Sequence, residues 1–392
     1  MSDPFALSGA VRLKPGRDAS LRRLHPWVYR GALAAPLPGG VAPVEVLTAS
    51  GARLGVALPG ASGGSLALRM VAFGDAPWSA AALADRLLAA AALRSRLGLD
   101  ADAYRLVHAE GDDLPGLVID RYAGIAVCEL YEAAWEAYLP AIAATLGGGL
   151  GLSTVLVRRP GRRGAPVEAV TGELPAEPVV VREGVVRLPA DLVAGQKTGL
   201  FLDQRENRRR LGALAPGATV LNLFSYSGGF ALAALAGGAA RAVNVDASQP
   251  ALALARLGYR LNGFACAAED FVAGDAFAVA REMAAGGAAF DAVVVDPPAF
   301  VKRKSELEGG LRGYKDVNLQ ALRLLRSGGL LVSCSCSALV DEESFARALA
   351  AAALDARRPL RVLERRGAGP DHPVSIFCPE ARHLKAWFCR VA

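Results

Sequence analysis

Apolar positions in the first part of the chain come in short runs, at 11–13, 44–47, 54–58 and 66–71, separated by turns rich in Gly and Pro. Runs of this length broken by turn residues read as strands, and together they predict a small β-barrel over residues 1–73. The pattern then lengthens into a helical one over 79–97, with Ser79 placed to cap it and Gly98 to stop it. Strand patterns at 104–108, 117–120, 125–131 and 154–157, with a helical pattern at 133–146, predict a strand-strand-helix-strand module. Residues 111–116, Gly-Asp-Asp-Leu-Pro-Gly, read as its first turn, and the Arg/Gly/Pro stretch 158–166 as an exposed loop.

Beyond Pro178 the period alternates. Strands are predicted at 219–223, 242–245, 292–295 and 329–333, and helices at 230–236, 249–261, 276–284, 314–326 and 341–353. Alternation of this kind implies parallel strands joined by right-handed crossovers, an α/β doubly wound sheet whose ligand lies beyond the carboxyl ends of the strands. Three domains are therefore expected, over 1–73, 74–178 and 179–392.

Composition narrows the class. The 392 residues are 53% hydrophobic and 21% charged, enough for two or three cores and incompatible with a disordered or fibrous chain. No apolar run reaches the roughly 18 residues that a membrane-spanning helix requires, so no membrane partner is expected. Charge begins at Arg12 without a signal-peptide core, and the six cysteines are scattered without metal-type spacing. A cytoplasmic protein without a metal is the expectation. The net charge of +6 is modest, but the first 30 residues hold six basic side chains against two acids. A polyanionic partner at the N-terminus is consistent with that distribution.

The candidate chemistry stands at predicted strand ends. The first strand runs into Phe224-Ser225-Tyr226-Ser227-Gly228-Gly229, a turn opening a helix whose glycines let a ligand approach backbone N–H groups. The second ends in Asp246, at the spacing where an acid holds ribose hydroxyls, and Gly-x-Gly-x-x-Gly is absent, which argues against a nicotinamide dinucleotide. Asp275 is placed either to accept from an adenine amino group or to cap a helix. The fourth strand delivers Asp296-Pro297-Pro298, two prolines fixing a carboxylate at the mouth of the site. The fifth ends in Ser333-Cys334-Ser335-Cys336-Ser337 beside it.

Over nearly the whole chain the sequence resembles the PUA-domain 23S ribosomal RNA cytosine methyltransferases. The matching motifs are Leu-Arg-Arg-Leu-His-Pro-Trp-Val-Tyr at 21–29, the segment 111–120 that opens Gly-Asp-Asp-Leu-Pro-Gly, and Gly-Gln-Lys-Thr-Gly-Leu-Phe-Leu-Asp-Gln-Arg-Glu-Asn at 195–207. Segments 224–230, 296–300, 312–316 and 371–374 match as well. The resemblance implies an N-terminal PUA barrel for RNA, a central α+β module and a C-terminal Rossmann-like methyltransferase using S-adenosylmethionine. It implies that Phe224, Ser225, Ser227, Gly228 and Gly229 hold the methionine end of the cofactor, Asp246 its ribose and Asp275 its adenine. Lys197, Gly199, Gln204 and Arg205 then line the same pocket, together with Asp296.

The implied reaction forms 5-methylcytosine. A thiolate adds to carbon 6 so that carbon 5 can attack a sulfonium methyl group, and Asp296 binds the base at ring nitrogen 3. Of the doubled Ser-Cys-Ser, Cys336 fits the family pattern as nucleophile because Ala338-Leu339 follows it, which leaves Cys334 as a buried strand residue. Lys302 or Lys315 is the expected source of thiolate-favouring charge. A base must then remove the carbon 5 proton, and the stretch His383-Leu384-Lys385 offers no carboxylate for it.

For RNA, Arg22, Arg23, His25 and Trp27 combine charge with an aromatic platform, and Lys302, Arg303 and Lys304 follow the Asp-Pro-Pro turn. The Arg205–Arg210 run reads first as a solvated face. The expected partner is 23S ribosomal RNA or a large-subunit assembly intermediate, with monomer and homodimer both open. The rival readings are transfer to an exocyclic amino group, in which Cys336 has no role, and a non-catalytic RNA-binding assembly factor.

Overall fold

The helix Ala80–Arg96 illustrates how local signals build this protein. Ser79 caps it by accepting the Ala82 N–H at 3.2 Å, and Leu83, Leu87, Ala90 and Arg94 form its buried stripe. A computed structural model describes residues 3–37, 39–60, 64–160 and 166–392, so 161–165 of the expected loop lie outside the described residues. The backbone forms two compact units, one of 1–176 with 370–381 and the other of 177–369 with 382–392.

The first unit holds two five-stranded sheets. One orders its strands Ala10–Arg12, Val44–Leu47, Arg53–Pro59, Leu66–Phe73 and Trp27–Tyr29; the other runs Glu168–Thr171, Thr154–Arg158, Ile125–Leu130, Leu117–Tyr122 and Ala103–His108. Val56, Leu58 and Val71 of the first sheet share a core with Leu83, Leu87 and Trp135. The expected 133–146 helix divides into a 3₁₀ turn, Ala133–Tyr138, and an α-helix, Leu139–Leu150, because Pro140 suits the first α-helical turn.

The Gly111-Asp112 turn is a lock for 370–381. Arg94, on the apolar stripe and 2% exposed, donates to both Asp112 oxygens at 2.5 and 2.7 Å and to the Asp371 carbonyl at 2.7 Å. Asp112 also accepts the His108 N–H, and Asp371 accepts the Arg105 N–H. A Cβ on Gly111 would overlap the Pro373 carbonyl oxygen, so glycine is required there. Two of the matching motifs, 111–116 and 371–374, are thus two halves of one buried joint.

In the second unit seven strands order as Phe271–Ala273, Arg241–Asp246, Thr219–Leu223, Phe290–Val295, Leu325–Ser335, Lys385–Val391 and Leu360–Arg366. The first five are parallel, and Lys385–Val391 alone runs against them, pairing antiparallel with both Leu325–Ser335 and Leu360–Arg366. Strand order reverses between Thr219–Leu223 and Phe290–Val295, which puts a ligand crevice at their carboxyl ends. The expected 314–326 helix begins earlier, as Leu307–Leu324. Three glycines at 309, 310 and 313 hide its first turns from propensity. Two of them are needed for packing: a Cβ on Gly310 would overlap Val301, and one on Gly313 would press within 3.2 Å of the Phe300 ring.

Candidate active site

The turn after Thr219–Leu223 is wound through left-handed backbone at Phe224 (φ 58°), Tyr226 (φ 47°) and Gly228 (φ 77°). For Phe and Tyr this conformation is strained, and Asp246 holds it. One Asp246 oxygen accepts the Tyr226 N–H at 2.8 Å, the other the Ser248 N–H at 2.8 Å. Tyr226 in turn clamps the 195–199 segment, its hydroxyl accepting the Gln196 N–H and donating to the Gly199 carbonyl, each at 3.0 Å. Asp275 caps the helix Ala276–Ala285 through the Ala278 N–H, so the capping role is present at that residue.

The Arg205–Arg210 run is a solvated face only in part, at exposed Arg209 and half-exposed Arg210. Arg205, Asn207 and Arg208 are buried, because Arg208 pairs with Glu183 and donates to the Phe201 carbonyl at 2.7 Å. Only charges met by such partners are tolerated inside.

Asp296 follows the Phe290–Val295 strand. Burial pushes its carboxyl up to about 7, the Asp203 charge adds to the shift, and the Gln204 side chain and Arg208 oppose it. Cys336 follows Leu325–Ser335 with its Sγ 3.9 Å from the Pro297 carbonyl, whereas Cys334 is wholly buried. Burial, then Asp296 and Asp203, push the Cys336 thiol up to about 11, against the pull of Lys197. Burial carries the Cys334 thiol well above its ordinary value.

Charge near Cys336 comes from residues other than those expected. Lys315 pairs with Asp355 at 2.6 Å, and Lys302, Arg303 and Lys304 form an exposed turn whose first two N–H groups are accepted by Glu306. Lys197 lowers the Cys336 thiol, by less than burial and the two carboxylates raise it, and buried Lys385 stands close by, donating to the carbonyls of Ser337 at 3.3 Å and His383 at 3.2 Å. His383 Nε2 lies 3.2 Å from Asp203 Oδ2. Asp203 belongs to the 197–207 segment expected along the pocket, His383 and Lys385 to the stretch without a carboxylate, and Tyr314 had no expected role. Tyr314 and Asp203 lie inside matching motifs, which was the available signal.

In the first unit, Arg22 and Arg23 are exposed, Arg22 reaching Asp18 at 2.7 Å. Trp27 is half-buried: its indole N–H donates to Glu110 at 2.8 Å, and the Arg69 guanidinium lies over its ring. His25 accepts the Trp27 N–H at Nδ1 and meets Glu380 through Nε2 at 3.4 Å. Cys378 joins His25 and Glu380 as the one group of three potential metal ligands among the described residues.

A family model for S-adenosylmethionine-dependent methyltransferases matches residues 133–388, and one for PUA-like domains matches 11–67. A protein of Photobacterium profundum named Ribosomal RNA large subunit methyltransferase I is 39% identical, covering 98% of this chain and 100% of that one. One of the same name from Vibrio cholerae is 38% identical at the same coverage. This chain belongs to the S-adenosylmethionine-dependent methyltransferase family. Two solved methyltransferase structures share its fold at 21% identity. One, from Streptococcus mutans, superposes with TM-score 0.85, and one complexed with SAH superposes with 0.86; each covers 98% of this chain and 100% of its own. No helix of the described residues is long and apolar enough to cross a membrane.

The methyltransferase uses S-adenosylmethionine, and its crevice fits that group. Ser225 Oγ is buried with no hydrogen-bond partner among the described residues, at the mouth of the crevice. The adjoining helix starts on Gly228, where a Cβ would press within 3.0 Å of Ala255. Each Asp246 carboxylate oxygen braces the turn through one N–H and retains capacity to accept another hydrogen bond.

Proposed function

We propose that this methyltransferase forms 5-methylcytosine in 23S ribosomal RNA, in the cytoplasm, with Cys336 as nucleophile. The observation that carries the reading is Cys336, half-buried at the end of its strand, beside Asp296, a carboxyl raised to about 7. The names of the relatives support the ribosomal RNA substrate.

In this reading Phe224, Ser225, Ser227, Gly228 and Gly229 hold the methionine end of the cofactor, and Asp246 and Asp275 its nucleoside. Lys197, Gly199, Gln204 and Arg205 line the remainder of the pocket. S-adenosylmethionine supplies an electrophilic methyl group. Cys336 adds to carbon 6 of a cytosine taken out of its stack, which makes carbon 5 nucleophilic. A carboxyl that is protonated near neutrality can donate to ring nitrogen 3 as charge develops there, the role given to Asp296. Lys197 favours the thiolate. Arg22, Arg23 and His25, with Lys302, Arg303 and Lys304, contact the RNA, and Trp27 braces the first group through Glu110.

The test is to incubate the protein with labelled cofactor and 23S RNA lacking modifications, then locate the product by mass spectrometry. The reading expects 5-methylcytosine at a single position. Label on an exocyclic nitrogen, or none, overturns it.

A further inference from the structure

Carbon 5 still carries its proton after methyl transfer, and the thiol cannot leave until a base removes it. Asp296 is engaged at ring nitrogen 3, and Lys385, although burial lowers its pKa, is occupied as a donor to the carbonyls of Ser337 and His383. One pair near Cys336 has no role in the steps above. Asp203 Oδ2 lies 3.2 Å from His383 Nε2, their side chains 17% and 32% exposed, open enough to meet a substrate yet fixed in place. The Asp203 backbone is pinned by the Gly369 N–H at 3.1 Å. The single Lys385 ammonium bonds the carbonyls of both His383 and Ser337, so His383 is tied to the residue after Cys336. Asp203 also stands near enough to raise both the Cys336 thiol and the Asp296 carboxyl.

We propose that the Asp203–His383 pair is the base that removes the carbon 5 proton, with Lys385 positioning it. The inference rests on the cytosine carbon 5 reading. Asp203 selects the imidazole tautomer with its proton on Nε2, which puts the lone pair on Nδ1. The carbon 5–hydrogen bond breaks and its electrons form the carbon 5–carbon 6 double bond. The carbon 6–sulfur bond breaks with its electron pair going to Cys336, which leaves as thiolate. The proton passes to His383 Nδ1, and Asp203 stabilises the imidazolium.

The test uses the full chain, S-adenosylmethionine with a labelled methyl group and an unmodified 23S RNA transcript, comparing wild type with His383→Ala and Asp203→Asn. Calorimetry first establishes that each variant binds the cofactor; should His383→Ala fail there, His383→Gln and Asp203→Asn decide by the same readouts. Multiple turnover is expected to fall at least about 100-fold, the usual scale of a general base. Methyl transfer should stop at one equivalent per protein, held in a protein–RNA adduct that survives denaturing gel electrophoresis. Added imidazole should restore part of the turnover of His383→Ala. A merely structural role would give neither adduct nor rescue. Turnover within a few fold of wild type, or lost turnover without adduct in a variant that binds cofactor, overturns the proposal. A wild-type product other than 5-methylcytosine would instead fail the reading beneath it.

Discussion

The Tyr314 hydroxyl lies 2.9 Å from Ser337 Oγ, on the residue after Cys336. It also accepts from Ser335 Oγ at 2.9 Å, and Ser337 Oγ accepts the Val301 N–H at 3.2 Å. One buried phenol therefore joins the two serines that flank Cys336, and through Val301 it reaches the segment that follows Asp296-Pro297-Pro298.

Tyr314→Phe keeps the ring packing and removes this joint. Stability should fall by about 1–3 kcal/mol, because two buried hydrogen bonds go and the hydroxyls of Ser335 and Ser337 lose a partner. Turnover should fall about tenfold while cofactor affinity holds, because the Cys336 loop loosens and the cofactor crevice does not. Denaturant midpoints, calorimetry and the rate of Cys336 alkylation by iodoacetamide check this; an unaltered alkylation rate counts against the joint.

Asp296 sets a pH dependence of defined sign. Its carboxyl is raised to about 7 in the folded protein from about 4 when unfolded, so the native state binds more protons across that window. Its contribution is full below about pH 4, and stability is lost as pH rises toward about 7 and then levels. Asp296→Asn should remove that slope, leave the protein more stable than wild type at pH 8, and be inactive. Urea midpoints at several pH values measure it, and a slope that persists in the variant excludes Asp296 as its source.

The two strand-end cysteines should separate cleanly. Cys336→Ala is expected to abolish methylation and Cys334→Ala to preserve most of it at some cost in stability, since only Cys334 is fully enclosed. The reverse pattern would move the nucleophile to Cys334.

In the first unit, Asp112→Ala strands the Arg94 guanidinium. Removing one member of a buried ion pair costs about 3–5 kcal/mol, and the His108 N–H loses its acceptor as well. Thermal unfolding should show the loss. Arg94→Met with Asp112→Leu should recover part of it, because neither charge of that pair is then left buried without its partner.

Strand and helix order, the candidate cysteines, the Asp-Pro-Pro turn and the Gly-containing turn were legible from local pattern. Alternating segments admit few topologies, and right-handed crossovers put the strand carboxyl ends on one edge, so residues such as Asp246, Asp296 and Cys336 could be gathered before any coordinates. The start of Leu307–Leu324 was not, because its glycines are chosen for contact with Phe300 and Val301 against helix propensity. Nor was the burial of Arg205, Asn207 and Arg208, where Arg208 meets Glu183 of the hairpin formed by Val179–Glu183 and Val186–Ala190.

By itself, then, the sequence determined the fold class and the identity of the residues at the sheet's carboxyl edge, since both follow from short-range periodicity and chain topology. Only the tertiary structure decided which partners meet there: Asp203 with His383 across 180 residues, Arg94 with Asp371 across 277, and Tyr314 with the serines on either side of Cys336. Such pairs leave no periodic trace along the chain, because they are selected by packing between distant elements and by the need to satisfy every buried charge and hydroxyl.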